Sequence, residues 1–99
     1  MSPFQIPWFK DKDASIPADA DRQLRKSLKT LEKKRKLHHS EENSTAEAKT
    51  LEEMGMLLFR SKYFENARDK WKDSLRIFQE TNDRPSMAEL YSNIGTAYR

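Results

Sequence analysis

Two adjacent histidines, His38 and His39, and the glutamate pairs Glu41–Glu42 and Glu52–Glu53 are the side chains in this 99-residue sequence whose types could hold a metal or move a proton. Their spacing argues against both. Neighbours in a helix point about 100° apart, so the two imidazoles cannot close on one ion. Neither histidine has an acidic partner at a convincing distance along the chain, and consecutive glutamates read as solvated surface. There is no cysteine, which removes thiolate ligands, thiol nucleophiles and disulfides together. No phosphate-binding glycine loop and no serine in a nucleophile elbow is present. The sequence therefore predicts no enzyme activity, no metal and no cofactor. The chemistry left to it is recognition.

Two groups of residues suit recognition. The first is Phe4, Ile6, Trp8 and Phe9, interrupted by Pro3 and Pro7. Proline fixes the backbone and removes donors, so residues 1–20 read as an extended tail. Four large apolar side chains on such a tail either fold back on the chain's own helices or dock on a partner, and docking is favoured because the rest of the chain offers little core. The second group is the run Lys33, Lys34, Arg35 and Lys36. It reads as a nuclear localisation signal, as an electrostatic footprint for an acidic partner, or as a solvated helical face. No aromatic residue interleaves with these cations, which disfavours stacking on single-stranded nucleic acid.

The charge is unevenly placed. Net charge is −1 over residues 1–20, +6 over 21–39 and −2 over 40–99. Charged and hydrophobic residues are equal at 35% each, so only part of the chain can bury a core. No apolar run is long enough to span a bilayer, and the first residues lack the basic start and apolar core of a secretory signal. An intracellular, cytoplasmic protein is expected, with a nuclear site open through the basic run.

The elements that must position these groups are helical. Leu24, Leu28 and Leu31 share one face of a basic helix beginning near Asp19 or Asp21, and the stripe fails where Arg35 takes the next position. Residues 21–43 thus form a basic helix and linker. Residues 44–99 read as three more helices. Ser44 and Glu47 make a capping box for the first, whose buried face is Ala48, Leu51, Met54, Gly55 and Leu58. The second runs from about Phe64 to Gln79 over Ala67, Trp71, Ser74, Leu75 and Phe78. The third opens near Pro85, with Ser86 and Glu89 as a capping box, and carries Leu90, Tyr91, Ile94, Ala97 and Tyr98.

Both glycines fall inside helices, where each costs about 1 kcal/mol relative to alanine. Gly55 and Gly95 lie 40 residues apart in matching settings, Leu51-x2-Met54-Gly55-x2-Leu58 and Tyr91-x2-Ile94-Gly95-x2-Tyr98. With Ala67-x3-Trp71 following, preceded by Phe64, this pattern resembles the tetratricopeptide repeat, whose helix pair reads W-x2-L-G-x2-Y and then A-x3-F. The longer period is similar to that of the repeats in G-protein-signalling-modulator and rapsyn-like proteins. The resemblance covers residues 45–99.

It implies an all-α fold of antiparallel helical hairpins, part of an α-solenoid, with one repeat and the first helix of a second. Ala67 is expected to face Gly55, and the added length is expected in the second helix and its following loop. A repeat cannot bury its own face, so an array continuing past Arg99, or another subunit, is expected to cover the last helix, and the isolated polypeptide is expected to be partly molten. The resemblance also implies a scaffold that binds protein partners. The positions that would clamp a chaperone's terminal carboxylates are Glu52, Met56, Ser92 and Thr96, none of them the lysine or asparagine required. A structural subunit of a cytoskeletal or ciliary assembly and a nucleic-acid-associated protein acting through residues 22–36 are the alternatives.

Overall fold

The computed structural model describes residues 16–97. They form four helices in the order α1 (Arg22–Ser40), α2 (Ser44–Arg60), α3 (Phe64–Thr81) and α4 (Arg84–Ala97), and no strand occurs among the described residues. The fold is all-α, and each helix packs on the one that precedes it in the chain.

The connections are built alike. Glu42, Lys62 and Asn82 hold left-handed φ angles of 57°, 71° and 63° and recur every 20 residues. After each, the next amide donates to the carbonyl five residues back: Asn43 to His38, Tyr63 to Leu58 and Asp83 to Phe78, all at 2.9 Å. This closes the last turn of one helix and starts the next within two or three residues. The 40-residue period is therefore two equal rod-and-turn units. Its two helices are nearly equal, of 17 and 18 residues, and the turn after the second is no longer than the turn after the first.

The helix starts also differ from the expected capping boxes. Asp21 caps α1, its carboxylate accepting from the Leu24 amide at 2.8 Å. Asn43 caps α2 by accepting from Ala46, and Asp83 caps α4 by accepting from Ser86, whose hydroxyl also donates to it. Ser44 and Ser86 thus lie inside their helices. Asparagine and aspartate are at least as good caps as serine, and Asn43 and Asp83 each stand outside the helix at the end of a tight turn.

The core threads all four helices. Leu24 and Leu28 come from α1; Ala48, Leu51, Met54 and Leu58 from α2; Ala67, Trp71 and Phe78 from α3; Leu90 from α4. Leu75 is half-buried, as are Met87 and Ile94 on α4. Ser74 is fully buried and donates to the Ala48 carbonyl at 2.7 Å, a bond between α3 and the backbone of α2. Phe64 is 41% exposed but sets its ring edge against Phe59, with centroids 5.2 Å apart.

The tail boundary shifts. Pro17 is buried, Ile16 and Ala20 pack against the core, and a turn closes from the Ala20 amide to the Pro17 carbonyl. Residues 16–20 therefore belong to the helical body. Phe4, Ile6, Trp8 and Phe9 lie outside the described residues, and so does Tyr98.

Candidate functional site

The contact that sets the hairpin geometry is between Gly55 and Trp71. A Cβ built on Gly55 would lie 2.3 Å from the indole Nε1 and 2.4 Å from Cδ1. The indole nitrogen donates to the Glu52 carbonyl at 3.2 Å, so the ring lies directly on the α2 backbone. Ala67, the residue expected over the glycine, is fully buried, but the space above Gly55 is taken by Trp71. Helical side chains lean toward their own N-terminus, so a long residue covers the patch beside the preceding turn, and the small Ala67 leaves room for it. Phe59 packs against the ring at a centroid distance of 5.7 Å.

The equivalent place on α4 is open. No heavy atom comes within 4 Å of a Cβ built on Gly95, so the packing expected of this glycine is not made by the described residues. Tyr91 is 56% exposed and Ser92 and Thr96 are exposed, whereas Ile94 is half-buried toward α3. The result is a helix with one side seated on the core and the other showing a tyrosine beside bare backbone.

The basic run separates into three kinds of residue. Arg35 turns inward, where Leu24 and Leu28 lead, and forms hydrogen-bonded ion pairs with Glu32 at 2.8 Å and Glu47 at 2.9 Å. Lys34 reaches sideways to Glu53 at 3.7 Å. Lys33 and Lys36 point to solvent. The leucine stripe thus continues through a paired arginine rather than stopping at it. Burial alone would raise the Glu32 carboxyl; the hydrogen bonds and charge of Arg35, helped by Lys70 and Lys36, outweigh it and hold the group below its usual range. Burial pushes the Lys70 ammonium down against the pull of Glu32 and Asp73.

Folding also brings His39 an acidic partner that is remote in the sequence. Glu47, only 8% exposed, accepts from Arg35 through one oxygen and lies 3.1 Å from His39 Nδ1 through the other. His38 Nδ1 lies 3.8 Å from Glu41. The two rings point to different carboxylates, and no group of three His, Asp or Glu side chains that could hold a metal occurs among the described residues. Glu47 ties the end of α1 to the start of α2. Nothing in the local sequence marks it, because its partners lie eight and twelve residues away.

A second carboxylate acquires a partner across the fold. Glu52 on α2 is half-buried and faces Glu89 on α4. Burial, then the charge of Glu89, push the Glu52 carboxyl up. A carboxyl raised in the folded state is strained while ionised, and that strain is relieved as the pH falls through the raised value. Glu52→Gln is therefore expected to raise Tm at pH 7, and the gain should vanish on acidification below that value, as thermal melts at both pH values would record. Glu32 has the opposite sign: its pairing stabilises above the ordinary carboxylate range and is lost as acid protonates it.

No helix of the described residues is long and apolar enough to cross a membrane. The chain matches no family model, no curated protein and no solved structure.

Proposed function

We propose that the chain is a non-catalytic protein-interaction module of tetratricopeptide type, a length of helical solenoid whose partner seats on α4. One observation carries the reading: Trp71 lies on Gly55, and the same glycine setting recurs at Gly95 with its face uncovered and Tyr91 beside it. A bare backbone position admits a neighbouring rod as closely as Gly55 admits the indole, and an exposed tyrosine supplies a rigid anchor of the kind that dominates protein interfaces. The occupant is either a further helical hairpin or a partner subunit presenting a similar helix. The tail bearing Phe4, Ile6, Trp8 and Phe9 is a second docking element in this reading. Placement of the scaffold in a cytoplasmic, cytoskeletal or ciliary assembly follows from the reading and from no separate feature.

The nuclear and nucleic-acid reading of residues 33–36 has less support, because Arg35 is engaged with Glu32 and Glu47 and the four residues do not present one surface. Neutralising all four together would confound binding with loss of the α1–α2 tie.

The test uses variants on the open face. A photoreactive side chain at the exposed position 92 should cross-link a single protein partner. Tyr91→Asp and Gly95→Glu should each abolish that product while leaving the far-UV circular dichroism unchanged, since neither position is covered. Undiminished cross-linking in both variants would remove α4 as the seat.

A further inference from the structure

The outward crest of α1 carries a row of cations that the protein-interaction reading does not use. Arg22, Lys26, Lys29, Lys33 and Lys36 follow one another at steps of four and three, so they fall on a single line opposite Leu24 and Leu28. All five are exposed, and none forms an ion pair among the described residues. At 1.5 Å per residue the row is about 21 Å long. The one acid on the helix between its ends, Glu32, is held against Arg35, and Lys36 adds only a longer-range pull on it. The nearest cation of the basic run outside the row, Lys34, is turned aside to Glu53. Arg25 lies off the row and donates to the Ala18 carbonyl at 3.0 Å, so five of the eight cations of this segment are left on one line with no ion pair among the described residues.

From this arrangement we infer that the outer face of α1 docks on an anionic lipid bilayer surface. Three features select that partner. The cations lie along one line of α1, the first helix of the described residues, so a flat surface can meet all of them at once. A helix seated in a DNA groove turns its crest to base edges and its flanks to phosphates, which would leave these five charges facing the wrong groups. Four of the five are lysines, a type depleted at protein–protein interfaces, and their flank carries the polar Gln23, Ser27 and Thr30, with the exposed Leu37 past the last lysine as its one large apolar side chain and no aromatic anchor. Lysine is a compact point charge that needs no fixed geometry, which suits a fluid layer of headgroups. The attachment is electrostatic, with the helix lying on the headgroups and nothing inserted.

Each juxtamembrane lysine or arginine strengthens binding to an anionic leaflet about fivefold. The experiment measures partition of the full chain to phosphatidylcholine vesicles with and without phosphatidylserine. Binding should require phosphatidylserine and fall steeply with added salt. The triple variant Lys26→Gln, Lys29→Gln, Lys33→Gln should lose about 100-fold, with unchanged helicity because all three side chains are solvated. Lys34→Gln, off the crest and paired, should lose less than about twofold. Equal binding to pure phosphatidylcholine, or full affinity in the triple variant, would overturn the inference. So would row-dependent binding to duplex DNA or polyglutamate that exceeds binding to the anionic vesicles at the same salt.

Discussion

Replacing Trp71 with alanine should lower the unfolding free energy by about 3–5 kcal/mol. The side chain is 1% exposed, among the most buried of the large ones, and it belongs to three environments at once. It fills the seam between α2 and α3, donates to the Glu52 carbonyl and packs its ring against Phe59. Removing it leaves a cavity floored by the Gly55 backbone, which has no side chain to move into the space. Small domains are stable by only about 5–15 kcal/mol, so the loss is a large fraction of the total. Urea unfolding followed by circular dichroism checks this. A loss below about 1 kcal/mol, the size typical of solvated positions, would mean that the indole is not the keystone of the hairpin.

The second large effect sets one glycine against the other. Helix propensity alone favours alanine over glycine by about 1 kcal/mol. At Gly95 that gain should be realised, because an added Cβ meets nothing within 4 Å. At Gly55 the same methyl would sit 2.3 Å from the indole nitrogen, and real side chains do not approach so closely. The ring is pinned by its bond to the α2 backbone and by Phe59, so α3 must shift or the indole must leave its rotamer. Gly55→Ala should therefore cost about 1–3 kcal/mol, the range for an overfilled core. The two substitutions are chemically identical and should differ in sign. A double-mutant cycle isolates the cause: in the Trp71→Ala background, Gly55→Ala should become neutral or favourable. If Gly55→Ala stabilised the wild-type chain as much as Gly95→Ala does, close approach at Gly55 would not be what the glycine is for.

The buried faces of α2 and α3 were legible because they depend on periodicity. Ala48, Leu51, Met54 and Leu58, and then Ala67, Trp71, Ser74 and Phe78, repeat at three- and four-residue steps, and a helix with that pattern has one way to hide it. The caps were less so, since Ser44 follows a competing Asn43 and Ser86 lies three residues after a competing Asp83, and only the left-handed residue of each turn decides which one ends the non-helical backbone. The identical turns at Glu42, Lys62 and Asn82 share no residue type. Their 20-residue spacing is a property of backbone conformation and leaves no mark in side-chain chemistry.

The sequence by itself determined the all-helical class, the helical hairpins, the inward stripes and the position of the two glycines, all of which follow from local propensity and from the 3.6-residue period. Tertiary structure alone decided which charges face one another. Arg35 looks like one cation in a run of four until α2 brings Glu47 beside it; Glu52 looks like surface until α4 brings Glu89. It also decided that Trp71, rather than Ala67, lies on Gly55, and that Gly95 lies bare. Charge pairing and close approach depend on distances between residues remote in the chain, and those distances exist only once the helices have packed.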